Sequence, residues 1–258
     1  MPINRGIFPG TFTMGNVVCG FLAILSAFEG NVTTSCWFII LAGFLDGLDG
    51  RVARLSKTSS QFGVELDSLA DFLSFGVAPA VLVYSIKLSA LGKWGWIISI
   101  VYIMASSYRL ARFNLMADAE EKKSFLGLPV PVAAFALVSF IIFCYHLWGS
   151  LRYDEVLVFM IVLFAFLMVS QMEYDSIPDR FQTVWGRLKL AYLLFAVLAL
   201  IAALVVNTRL FNYRVLLFPF VSVYILSGVV REFYRLFYVG VGKMTGRQHS
   251  RRVTNGDS

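Results

Sequence analysis

Eight apolar stretches, each about 20 residues long, run through a chain of 258 residues and leave little room for anything else. They cover residues 12–29, 33–53, 61–86, 92–113, 128–148, 154–171, 188–207 and 212–239. A helix of about 20 apolar residues crosses a bilayer core of roughly 30 Å. Lipid offers backbone N–H and C=O groups no partner, so helices are the expected form of all eight. Composition agrees: 58% of the residues are hydrophobic and 15% charged, against roughly 45–50% and 25% in globular chains. A soluble domain, a disordered chain and a disulfide-stapled secreted module are thereby excluded. The expected fold class is an all-α integral membrane protein with about eight transmembrane helices.

Loop charges set the orientation, because Lys and Arg concentrate on the cytoplasmic side. One side collects Arg5, then Arg51, Arg54 and Lys57, then Arg109, Arg112, Lys122 and Lys123, then Arg180, Arg187 and Lys189, and six more from Arg231 to Arg252. The other side holds only Lys87, Lys93, Arg152, Arg209 and Arg214. Seventeen against five predicts both termini in the cytoplasm and an even number of spans. The net charge of +6 is spread between apolar segments rather than gathered in one stripe, which argues against nucleic acid as a partner. The N-terminus MPINRGIFPGTF has no small-residue cleavage site before its apolar run, so a signal peptide is not expected. No repeat or linker divides the chain. Residues 1–240 read as a single transmembrane catalytic domain and 241–258 as a basic, disordered cytoplasmic tail. Cys19, Cys36 and Cys144 have no metal or disulfide spacing and read as small buried hydrophobes.

Polar chemistry concentrates at the facing ends of the second and third stretches. Asp46, Asp49, Glu65, Asp67 and Asp71 fall within 26 residues. Asp46 and Asp49 are i,i+3 neighbours and Asp67 and Asp71 are i,i+4 neighbours, so each pair shares a helix face. The short polar LSKTSSQ segment between them makes an antiparallel hairpin. Four carboxylates meeting at its cytoplasmic end would repel one another without cations between them. Hard oxygen ligands suit Mg²⁺, Mn²⁺ or Ca²⁺, and two divalent ions would balance four charges in a clamp familiar from phosphoryl displacement. Gly50 and Ala53 leave room on the same face for a flat ring or ribose, although small residues there also suit close helix packing. Arg54, one turn beyond Gly50, has the reach for a phosphate.

Asp46-Gly-Leu-Asp49-Gly50-Arg-Val-Ala53-Arg54, followed after eight residues by Gly63, then Asp67 and Asp71, resembles the CDP-alcohol phosphotransferase signature D-x2-D-G-x2-A-R-x8-G-x3-D-x3-D at all eight fixed positions. FTMGNVVCGFLAI, ELDSLADFLSFGVAPA, RLARFN and FLGLPVPVAA resemble the phosphatidylserine synthase branch of that family. The resemblance implies the family fold and transfer of a phosphatidyl group from CDP-diacylglycerol to an alcohol with release of CMP. By position it implies Asp46, Asp49, Asp67 and Asp71 as ligands of two divalent metals, with Asp71 also the general base. Gly50, Ala53, Arg54, Ser60 and Gly63 would line the CDP moiety, and Thr13 and Asn16 resemble residues that approach the nucleotide. The resemblance implies a homodimer as well, and the loop charges put the active site on the cytoplasmic face of the cytoplasmic (inner) membrane.

The branch implies L-serine as acceptor. A serine carboxylate needs a cation, and Arg109, Arg112 and Asn114 sit at the cytoplasmic end of the fourth stretch, where the arginines also suit interface anchoring. Gly127, Pro129 and Pro131 either shape a loop over the site or mark the entry of the fifth span. His146 and His249 lie away from this chemistry. Glycerol 3-phosphate and inositol are the competing acceptors. A prenyltransferase would place its acidic motifs far apart in sequence, and a cation transporter would show repeated halves with broken helices.

Overall fold

The computed structural model describes residues 7–56, 61–118, 125–170, 173–174 and, further along, 218–219, 221–223 and 225. Helix α1 (Ile7–Phe28) and α2 (Val32–Ser56) form an antiparallel hairpin. The chain reverses at Gly30, whose φ of +76° is the left-handed conformation that glycine adopts without strain. Asn31 N donates to Ser26 O at 2.8 Å and Gly30 N to Ala27 O at 3.2 Å, which satisfies carbonyls that the end of α1 would otherwise leave open.

The third stretch is one continuous helical rod in three sections: α3 (Gln61–Asp71), a π-helical section (Phe72–Val77) and α4 (Ala78–Ile86). A short 3₁₀ turn at Leu88–Leu91 leads into α5 (Lys93–Asp118). Strand β1 (Phe125–Leu126) precedes α6 (Val130–Trp148) and α7 (Asp154–Val169), and β2 (Glu173–Tyr174) follows. Pro129 caps α6 and Pro131 lies in its first turn, where a missing N–H costs nothing. The prolines therefore mark the entry of a span. At the other end of the bundle, Lys87 and Asp154 form an ion pair that joins the end of α4 to the start of α7.

Each of the first six apolar stretches carries a helix at nearly the expected place. Among the described residues, four helical segments are long and apolar enough to cross a membrane: Gly10–Phe28, Val32–Val52, Gln61–Ile86 and Val130–Trp148. Helix α7, with 16 residues, spans about 24 Å at 1.5 Å per residue and is short for a bilayer core. The stretches 188–207 and 212–239 lie outside the described residues, apart from the few positions near 220. The antiparallel pair of β1 with β2 (Phe125↔Tyr174, Leu126↔Glu173) is a small departure from the all-helical expectation. It gives partners to backbone groups that have left the helices.

Small residues bring the helices together, as packing between helices in lipid requires. A Cβ on Gly43 would lie 2.1 Å from Phe135 Cζ, so α2 approaches α6 closely there. Ala23, Ala27, Cys36, Ile39 and Ala42 are buried between α1 and α2 and their neighbours. Cys19, Cys36 and Cys144 are all buried free thiols, as expected for small hydrophobes. Phe21, Phe44, Met104, Phe159 and Phe166 point outward and are exposed, an apolar exterior suited to lipid.

Candidate active site

The hairpin formed by α2 and α3 brings the acids to one end of the bundle. Asp46 comes from the second half of α2, and Asp67 and Asp71 from the last two turns of α3. One carboxylate oxygen from each of these three lies within 4.8 Å of the others. At an effective dielectric near 20, each such pair repels by roughly 3 kcal/mol. A group with that geometry is stable as three anions only with a cation among them.

Asp49 stands apart from this triad. It is buried, its Oδ2 accepts a hydrogen bond from Thr13 Oγ1, and its Oδ1 is buried with no hydrogen-bond partner among the described residues. Asn16, fully buried, donates from Nδ2 to Asp71 Oδ1 at 3.2 Å, and its own Oδ1 is likewise buried and unpartnered. Hard oxygens, three converging carboxylates and two acceptors beside them that have no partner among the described residues make a donor set that fits a divalent cation such as Mg²⁺ or Mn²⁺. Glu65 is exposed and takes no part in the triad.

The other residues singled out from the sequence divide sharply. Gly50 is exposed in the second half of α2, and a Cβ there would meet nothing within 4 Å among the described residues. Gly63 is half-buried in the first turn of α3. Ala53 and Arg54 lie in the last turns of α2, but their side chains, and the whole of Ser60, fall outside the described residues. Thr13 and Asn16 reach the site, but they touch its aspartates, as given above.

Helix α5 separates its two arginines. Arg109 is buried, its guanidinium lies 5.1 Å from the Phe113 ring, and its charge acts on Asp71. Arg112 instead donates to the carbonyls of Met168, Val169 and Ser170 at 3.2–3.3 Å, at the end of α7. Those carbonyls have no helical partner, and a planar five-donor fork meets several at once. Gly127 (φ +79°) makes room for this contact: a Cβ there would sit 2.4 Å from Met168 O and 2.6 Å from Arg112 Nη2. Asn114 donates from Nδ2 to Ser68 Oγ at 2.9 Å, tying α5 to α3 beside Asp67. The structure thus ties Arg112 to the end of α7 and Asn114 to α3, whereas the buried Arg109 places its charge where Asp71 feels it. His146 lies in the last turn of α6, and its Nε2 is buried without a partner among the described residues. His249 is outside them.

Fold and site together define a helical membrane protein with an oxygen-rich centre, suited to a hard cation, at one end of its spans. The sequence profile of CDP-alcohol phosphatidyltransferases matches residues 6–169, which include helices α1 to α7. The chain belongs to the CDP-alcohol phosphatidyltransferase family. It is 35% identical over 234 residues to the CDP-diacylglycerol–serine O-phosphatidyltransferase of Helicobacter pylori, covering 90% of this chain and 93% of that one. The enzyme of the same name from Methanocaldococcus jannaschii is 39% identical over 168 residues, 65% of this chain and 73% of its own. That from Bacillus subtilis is 39% identical over 130 residues, 50% of this chain and 72% of its own.

Proposed function

We propose that this protein transfers the phosphatidyl group of CDP-diacylglycerol to the hydroxyl of L-serine, forming phosphatidylserine and releasing CMP. The observation that carries the reading is the convergence of Asp46, Asp67 and Asp71 in a chain similar to a serine O-phosphatidyltransferase along nine-tenths of its length. Asp46, Asp49, Asp67 and Asp71 would hold two divalent cations, Mg²⁺ or Mn²⁺, whose charge would neutralise the diphosphate and ease the departure of CMP. Gly50, Ala53, Arg54, Ser60 and Gly63 form the bed for the CDP moiety, with Arg54 on a phosphate. Asp71 accepts the serine hydroxyl proton as the new O–P bond forms and the bond to CMP breaks. Arg109 receives the serine carboxylate.

The positive-inside charge pattern supports eight spans with both termini in the cytoplasm. The site then faces the cytoplasm from the inner membrane, where the nucleotide stands in water and the acyl chains stay in lipid. Residues 1–240 act as one catalytic domain, followed by the basic tail 241–258, and the protein works as a homodimer. The test is to incubate purified protein with CDP-diacylglycerol, Mn²⁺ or Mg²⁺, and serine, glycerol 3-phosphate or inositol, and to identify the lipid. Phosphatidylserine is expected. A product from another alcohol, with none from serine, moves the assignment to that acceptor.

The two arginines of α5 give a sharper expectation. Replacing Arg109 by Lys exchanges a planar fork for a point charge, so the KM for serine should rise about tenfold or more. The KM for CDP-diacylglycerol should stay nearly constant. Arg112→Lys loses carbonyl contacts at the end of α7, so its effect belongs in thermal stability. Selective loss of serine affinity in Arg112→Lys, with none in Arg109→Lys, reverses the assignment.

A further inference from the structure

Thr13 and Asn16 are the polar residues that α1 turns toward the acidic end. They are three residues apart, on one face of the helix. Thr13 has only its hydroxyl to offer Asp49, and Asn16 must present Nδ2 to Asp71, because an ionised carboxylate accepts and never donates. The Asn16 orientation is therefore set by its partner, and the amide oxygen is left facing away from Asp71. Asn16 is thus a buried hydrogen-bond donor to Asp71.

The height of α1 against the rod is fixed independently. Ser74 Oγ, in the π-helical section just after Asp71, donates to Asn16 O at 3.0 Å. One turn further along α1, a Cβ on Gly20 would lie 2.2 Å from Ser74 Oγ and 3.0 Å from Ser74 Cα. Helix α1 therefore rests directly on the π-helical section that follows Asp71, and it can neither slide nor lift without losing the Asn16 and Thr13 contacts together.

We propose that Thr13 and Asn16 are positioning residues of the acidic site rather than nucleotide contacts. Each occupies one oxygen of a carboxylate, Asp49 Oδ2 and Asp71 Oδ1. Each thereby turns the other oxygen to the site: Asp49 Oδ1 to the cation, and Asp71 Oδ2 to both the cation and the reacting hydroxyl. This division of oxygens rests on the phosphatidyl-transfer reading for its second half only. Its first half is a statement about cation binding.

The full-length protein in detergent or bicelles is titrated with Mn²⁺, free and bound ion being separated by electron paramagnetic resonance. The kcat and both KM values are then measured. Thr13→Val keeps the shape and removes the donor, and is expected to weaken Mn²⁺ binding about 10–100-fold, the usual cost of losing a group that orients a ligand. Thr13→Ser restores the hydroxyl and should recover that affinity to within about threefold of the natural chain. Asn16→Ala should lower kcat by about 10–100-fold while the KM for CDP-diacylglycerol moves by less than about threefold. If Asn16→Ala does not fold, Asn16→Leu fills the buried space and asks the same question. Unchanged Mn²⁺ affinity in Thr13→Val overturns the proposal. So does an Asn16 variant whose KM for CDP-diacylglycerol rises about tenfold at constant kcat, the mark of lost ground-state binding. A natural chain that shows the Thr13 pattern in Mn²⁺ binding but releases no CMP upholds the positioning role and overturns phosphatidyl transfer.

Discussion

Asp71→Asn is expected to lower turnover by about 10²–10⁴-fold, the contribution of a placed general base, while CDP-diacylglycerol still binds. Asparagine keeps the size of the side chain and one of its oxygens, so the fit between α3 and α1 survives, and the Asn16 amide at 3.2 Å can still find an acceptor. What is lost is the group that takes a proton. A serine hydroxyl is a weak nucleophile at neutral pH, and without an acceptor the new O–P bond has to form against a retained proton. Asp46→Asn makes the contrast. It removes a charge from the triad itself, so nucleotide and metal binding should fall along with turnover. Turnover is read from CMP release and binding from an equilibrium measurement on the same two variants. Near-normal turnover in Asp71→Asn would remove the base from this position, whatever the signature implies.

Chelation should have an effect at least as large. EDTA is expected to reduce CMP release by about 100-fold or more, since charge neutralisation by a metal is worth several kcal/mol in such a step. Added Mn²⁺ or Mg²⁺ should restore it. The expectation follows from the crowding of Asp46, Asp67 and Asp71 within 4.8 Å, beside the orphaned oxygens of Asp49 and Asn16. Those groups repel one another and the diphosphate alike until cations lie between them. Full activity in a metal-stripped preparation would sink the metal assignment, and with it the reason for the triad.

Length and polarity made the helices legible, because a span can be recognised without knowing its neighbours. The hairpin and its acids were legible for a related reason: spacing along one helix gives the face. Spacing does not say which neighbour a face meets. Residues three apart differ by about 60° around an α-helix, enough for Asp46 to join the triad while Asp49 meets Thr13 on α1. The same offset sends Arg109 toward the acidic site and Arg112 to the end of α7. Thr13 and Asn16 did carry a signal, since polar side chains in an apolar span need partners, but the partner's identity is a tertiary fact. The π-helical section had no signal at all. FLSFGV contains no residue that demands a wider turn, and the section is packed by α1, α2, α5 and α6, which are distant from it in sequence.

That wider turn has a consequence for how the protein can change over time. A π turn encloses one residue more than an α turn, so Ala78–Ile86 is rotated by about 100° from the position an unbroken helix would give it. The rod therefore has two phases. Below Phe72 its orientation answers to Asp67 and Asp71, and beyond Val77 it answers to Pro79, Ala80, Leu82 and Val83, which are all buried. Substitutions in the second half can follow a changing membrane or a changing partner helix while the acids keep their aim. Loss of a single residue between 72 and 77 would engage the two halves like a locked clutch, and one demand would have to yield to the other.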